Sequence, residues 1–128
     1  MKRKIVNCDC APPAIGAYSQ GVWAGNILFL TGVCGDDPKT GELVGGGDMA
    51  AETKQAMENA RAMLASEGLS FENVVNARIY ITNFDDFGRM NDVYKSYFEE
   101  PYPARATVEV TRLAGGAKVE IVLTAYRE

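Results

Sequence analysis

The chain has 128 residues, 47% of them hydrophobic and 23% charged, with a net charge of −4; that is length and apolar content enough for one domain, residues 1–128, with a real core. The acidic balance argues against a nucleic-acid surface, which needs concentrated Lys and Arg. No histidine is present, which excludes Ser-His-Asp and Cys-His nucleophile systems and His-ligated metals.

No apolar run approaches membrane-spanning length. The basic start Lys2-Arg3-Lys4 is not followed by an apolar segment of signal-peptide length. A cytoplasmic protein is therefore expected. Ile5-Val6 is a short strand candidate. Cys8 and Cys10 follow, with Cys34 the third cysteine; an odd set of three makes neither a disulfide framework nor a thiolate metal site, so reduced thiols are expected.

Gly21-Val22-Trp23-Ala24 and Ile27-Leu28-Phe29-Leu30-Thr31 read as strands joined by the two-residue hairpin signal Gly25-Asn26. Asp36 to Gly41 is a polar turn. Gly45-Gly46-Gly47 reads as a flexible loop, since no strand precedes it and no phosphate-loop lysine follows. Asp48 is an N-cap candidate. From there Thr53, Ala56, Met57, Ala60, Met63 and Leu64 recur at helical spacing, and Gly68 stops the helix. Val74 to Thr82 alternates, with Val75, Ala77, Ile79 and Ile81 on one side. Asn83 is expected to cap a second helix bearing Phe84, Phe87, Asn91, Tyr94, Tyr97 and Phe98 on one side. Strands at Ala106–Val110 and Lys118–Tyr126, with a turn at Leu113 to Gly116, close the chain. The order is β-β-β-α-β-α-β-β, an α+β fold with two helices on one face of a sheet.

Ile27-Leu28-Phe29-Leu30 and Ile121-Val122-Leu123 are apolar on both faces. Two helices cover only one face, so the other needs a partner, and the simplest is another copy of the chain.

Two positions point to chemistry. Arg105 follows Pro101-Tyr102-Pro103, a stiff lead-in that biases the backbone towards extended geometry. Proline cannot feed a central ladder, so a strand must begin after Pro103 and Arg105 stands at its entrance. Ala104 and Ala106 leave space around a guanidinium suited to gripping a carboxylate or phosphate with two prongs. The plain alternative is a solvated arginine or one paired with an acid. Glu120 lies in the last strand with Val122, Thr124 and Tyr126 on its own face. A carboxylate there is either paired, with Arg78 the candidate, or functional.

Pro101 to Val110 (PYPARATVEV), followed by Lys118-Val119-Glu120-Ile121, resembles the signature of the RidA family (YjgF/YER057c/UK114 proteins). Ala14 to Gln20 resembles the family's N-terminal loop, Thr31-Gly32 and Asp37 to Leu43 its strand and turn, and Phe84 to Tyr94 its second helix. The likeness runs in order from about Ala11 to Ala125.

The resemblance implies a chorismate-mutase-like fold and a homotrimer with sites in the clefts between subunits. It implies a cofactor-independent, metal-free 2-iminobutanoate/2-iminopropanoate deaminase. Its substrates would be enamines and imines such as 2-aminoacrylate, released by pyridoxal-phosphate-dependent serine or threonine dehydratases. Arg105 resembles the arginine that binds the substrate carboxylate, and Glu120 the glutamate that positions or activates water. Tyr18, Gly32, Asn91 and Thr107 fall on positions lining the family's pocket. Val33 stands where many members carry glutamine, Thr107 where some bacterial members carry cysteine, and Val122 where a second acid is frequent. Val33 and Val122 bear on substrate preference, and Thr107 excludes thiol modification at its position. The competing readings are an endoribonuclease, as some relatives are described, and a non-enzymatic regulator or chaperone that binds small carboxylates.

Overall fold

The computed structural model describes residues 2–128. Its elements are β1 (Lys4–Val6), β2 (Gly21–Ala24), β3 (Ile27–Leu30), α1 (Met49–Ser66), β4 (Val74–Ile81), α2 (Phe87–Lys95), β5 (Ala104–Glu109) and β6 (Val119–Tyr126). They form one six-stranded sheet in the order β1-β2-β3-β6-β4-β5, with both helices on one side. β4 and β5 pair in parallel; the other pairs are antiparallel. The β-β-β-α-β-α-β-β order read from the sequence is the one observed.

Local chemistry fixes the boundaries. The Asp48 carboxylate accepts from the Ala51 N–H at 2.9 Å and caps α1, satisfying one of the orphan donors of a helix start. At the other end Gly68 takes φ +74°. There the Gly68 N–H bonds Ala65 O and the Leu69 N–H bonds Leu64 O, the left-handed exit that glycine permits without a Cβ penalty. Ala56, Met57, Ala60, Met63 and Leu64 of α1 pack on Leu28, Ala77, Ile79, Ile121 and Leu123 of the sheet in one core cluster. Burying each large member stabilises the fold by about 1.5–3 kcal/mol.

Four expectations need correction. Val75 does not join the buried side of β4: it is 49% exposed, while Val74 is buried. A register shift between Val74 and Asn76 breaks the alternation there, as a bulge does when it adds one residue to a strand. Asn83 caps a 3-10 turn, Phe84–Asp86, and not α2 itself, which starts at Phe87; α2 ends at Lys95, so Tyr97 and Phe98 lie just beyond it. β5 runs Ala104–Glu109 and not Ala106–Val110: it starts directly after Pro103, with Arg105 as its second residue. Finally, Cys8 and Cys10 are joined as a disulfide and only Cys34 is a free thiol. The Gln20 amide holds the loop that brings the two sulfurs together. It accepts from the Cys8 N–H at 2.6 Å and donates to Cys8 O and Pro12 O at 3.0 and 2.9 Å.

The sheet face away from the helices is uncovered within one chain. Phe29 is 50% exposed there, and Ile5, Ile27, Val108 and Tyr126 are exposed as well. Cross-strand pairs place Ile5, Val22, Phe29 and Thr124 in one row, and Tyr80, Glu120 and Val108 in another.

Candidate functional site

Arg105 and Glu120 lie on opposite faces of the same sheet. Arg105 pairs with Ala77, and Thr107 with Ile79; both partners are buried against the helices. Glu120 pairs with Tyr80 on the open face. Neighbouring residues in register share a face of a sheet, and successive residues alternate.

On the helix side, the Arg105 guanidinium donates from Nη1 to Asn91 Oδ1 at 2.6 Å. Its carbon sits 5.1 Å from the Tyr94 ring centre and 5.5 Å from that of Phe87. Phe87, Asn91 and Tyr94 are spaced four and three apart on α2, which puts them on one side of the helix. The guanidinium is thus held by one hydrogen bond and two cation–π contacts, and among the described residues it makes no ion pair. Asn91, Tyr94, Lys95, Tyr102, Pro103 and Arg105 line an open cavity of about 400 Å³, with Lys95 itself paired to Asp92 at 3.5 Å. Tyr94 Oη and Thr107 Oγ1 are buried with no hydrogen-bond partner within the chain. Such orphaned hydroxyls are costly unless something else satisfies them; Tyr94 lines the same cavity as the Arg105 fork, and Thr107 lies two residues along its strand. Burial pushes the Tyr94 hydroxyl up to about 12, against the opposing pull of Arg105, so it remains a neutral donor.

On the other side, Tyr18, Gly32, Val33, Cys34, Leu43 and Glu120 line a larger cleft of about 740 Å³. Val33 is locked to β6 by reciprocal bonds with Ile121, Val33 N–H to Ile121 O at 2.9 Å and Ile121 N–H to Val33 O at 2.8 Å. This ladder sets Gly32 and Cys34 on either side of the Glu120 carboxylate. A Cβ on Gly32 would sit 2.8 Å from Glu120 Cδ, so glycine is what lets the carboxylate lie there. Cys34 Sγ contacts Glu120 Oε1 at 3.8 Å. Burial, then Glu120 and Asp36, push the Cys34 thiol up to about 12. Glu120 makes no ion pair with Arg78 among the described residues. Tyr18 stands half-exposed at the rim, its hydroxyl accepting from the Ile15 N–H at 3.3 Å.

The chain therefore divides the residues singled out in the sequence into two groups. Arg105, Asn91 and Thr107 share the helix-side cavity or its strand; Tyr18, Gly32 and Glu120 share the open-side cleft. Sequence reasoning missed Cys34 and the aromatic seat under Arg105. The seat had a signal, the helical spacing of Phe87, Asn91 and Tyr94. Cys34 had only its place two residues after Gly32.

The family model for Endoribonuclease L-PSP matches residues 8–127. The chain belongs to this family, the RidA/YjgF family. Among its relatives, a RutC family protein of Pyrococcus horikoshii is 43% identical over 126 residues, covering 98% of this chain and 99% of that one. A 2-iminobutanoate/2-iminopropanoate deaminase of Bos taurus is 44% identical over 119 residues, covering 93% of this chain and 86% of the relative. Among solved RidA/YjgF structures, E. coli TdcF with bound serine superposes with a TM-score of 0.91 at 37% identity, covering 98% of this chain and 99% of that one. The six-stranded sheet and two helices described above are thus the family fold. No helix here is long and apolar enough to cross a membrane.

Proposed function

We propose that this chain is a single-domain hydrolase of small 2-imino acids. It converts 2-iminobutanoate and 2-iminopropanoate, the imine form of 2-aminoacrylate, into 2-oxo acids and ammonia, as a homotrimer with its sites between copies. The observation that carries the reading is Arg105, seated on two aromatic rings and tied to Asn91, with no acidic partner among the described residues. An anchored guanidinium with spare donors is suited to a carboxylate. The neutral hydroxyls of Tyr94 and Thr107 add donors for the same anion. The deaminase relatives and the serine bound to TdcF support a small carboxylate ligand.

Glu120 is the proton-handling group, yet it lies on the other face from Arg105 within one chain. Packing the open apolar face against a second copy brings the two halves together, which is why the proposal includes the trimer. In the reaction, water adds to the imine carbon, forming a C–O bond. Glu120 takes a proton from that water and returns it to nitrogen, which gives a carbinolamine; it then carries the hydroxyl proton to the same nitrogen, so that C=O forms as the C–N bond breaks and ammonia leaves. Arg105 holds the carboxylate so that the imine carbon faces the water. The imine hydrolyses unaided, so modest acceleration suffices, and the carboxylate, hydroxyls and guanidinium supply it without a metal or cofactor. The functional partners are then the pyridoxal-phosphate-dependent dehydratases that release such imines, in the cytoplasm.

The test is a coupled assay in which threonine dehydratase generates 2-iminobutanoate and 2-oxobutanoate release is followed. Wild type should accelerate release and Arg105→Ala should not. Equal rates with and without wild-type protein contradict the proposal. RNA cleavage by the same preparation that survives Arg105→Ala and further purification would favour an endoribonuclease instead.

A further inference from the structure

We infer that Cys34 is a positioning residue for Glu120: its thiol donates to the carboxylate, fixing which oxygen faces the cleft. The inference rests on Glu120 handling protons as proposed above.

The contact is Cys34 Sγ to Glu120 Oε1 at 3.8 Å. Among the described residues it is the only hydrogen bond to that carboxylate, so Oε1 is engaged and Oε2 is left for water or substrate. A thiol is a weak donor, and its value here lies in how firmly its backbone is held. Asn59, itself buried, donates from Nδ2 to Cys34 O at 3.1 Å and to Asp36 O at 2.8 Å. Gln55 in turn donates to Asn59 Oδ1 at 2.9 Å and orients that amide. On one side Val33 is bonded to Ile121. On the other, Gly35 lies so close to α1 that a Cβ would meet the Glu52 backbone at 2.8 Å. The segment 33–35 is thus clamped between β6 and α1, with its one side-chain donor aimed at Glu120. The thiol, pushed up to about 12 by burial and its acidic neighbours, keeps its proton at neutral pH and stays a donor.

Other groups face Glu120 or its thiol partner. Tyr80 on β4 is directly opposite, and Arg78 is one row along the same face. Asp36 in the loop and Glu52 on α1 act on Cys34, and Tyr18 lines the same cleft. Asp36 and Glu52 are acidic and, with burial and Glu120, disfavour a charge on the thiol, so the donor keeps its proton.

The experiment compares wild type, Cys34→Ala and Cys34→Ser by two readouts. The first is the chemical shift of the Glu120 carboxyl carbon by NMR at neutral pH, which reports the hydrogen bond it accepts, is assigned with Glu120→Gln and is independent of any activity. The second is steady-state imine hydrolysis. Cys34→Ala should move the carboxyl resonance, and its kcat should fall about threefold to tenfold while KM holds, because the substrate carboxylate is gripped elsewhere. Serine, a donor on a shorter arm, should recover at least half of both changes at an unchanged thermal midpoint. A Cys34→Ala carboxyl resonance equal to wild type overturns the inference, and so does Cys34→Ser behaving like Cys34→Ala. If wild type hydrolyses no imine, the functional proposal is what fails, and the NMR shift alone decides the Cys34 contact.

Discussion

Replacing Arg105 by lysine keeps the charge and removes the fork. In the structure one guanidinium nitrogen is already committed to Asn91 Oδ1 at 2.6 Å, so the remaining donors are those that meet substrate. A lysine ammonium at the same Cα has to choose between Asn91 and the carboxylate, and it loses the planar stacking on Phe87 and Tyr94. Losing one charge-assisted hydrogen bond costs about 1.5–3 kcal/mol. At about 1.36 kcal/mol per power of ten, that is roughly tenfold to 150-fold in kcat/KM. The carboxylate is unchanged through the reaction, so most of the loss should fall on KM, as for an interaction made equally in ground and transition states. Arg105→Ala should be only slightly worse. Folding should hold, since Arg105 is exposed and lies outside the core cluster; the lost bond to Asn91 is worth about 0.5–1.5 kcal/mol. The assay is 2-oxobutanoate release with threonine dehydratase as the imine source, beside thermal melts. Near-wild-type kcat/KM for Arg105→Lys would refute the two-pronged grip and leave Arg105 as a source of positive field.

Glu120→Gln should preserve assembly and slow hydrolysis by about tenfold to a thousandfold, the range for one general acid–base group; unchanged kcat would make Glu120 structural. Gly32→Ala places a methyl 2.8 Å from Glu120 Cδ, so kcat should drop with Arg105-dependent binding intact, and a wild-type rate would show that the carboxylate needs no fixed seat. Stability should decline as pH rises between about 9 and 12. The Cys34 thiol is raised from 9.0 to about 12, and the Tyr94 and Tyr97 hydroxyls from 10.0 to about 12. The unfolded chain therefore releases these protons first, and stabilisation that is complete below the lower values is lost on the way up. Urea midpoints measured across that range check it, with Cys34→Ser expected to flatten the lower part of the decline.

Much of the fold was legible because its elements obey simple periods. The α1 stripe, the Asp48 cap and the Gly68 exit each follow from local rules, and the structure has all three. What failed depended on contacts between residues distant in sequence. Val75 reads as buried by strict alternation, and only the bulge against β6, invisible in β4 alone, turns it outward. The Cys8–Cys10 bond depends on Gln20 reaching back across twelve residues to hold the loop. The uncovered apolar face was readable from the two-sided strands. Which site residues meet was not: the sequence puts Arg105 and Glu120 in a single set, whereas β-strand alternation separates them within a chain.

That separation supplies the most direct test of the account, because a site built from two copies can be complemented. Arg105→Ala and Glu120→Gln subunits, each slowed about tenfold or more alone, are co-refolded in equal amounts, and imine hydrolysis is measured beside the oligomeric state by sedimentation. If Arg105 of one copy works with Glu120 of the next, a random mixture contains intact sites, and activity should return to about a quarter of wild type in a trimer. No recovery in a mixture that sediments as a trimer, or a stable wild-type monomer at micromolar concentration, would contradict the shared site.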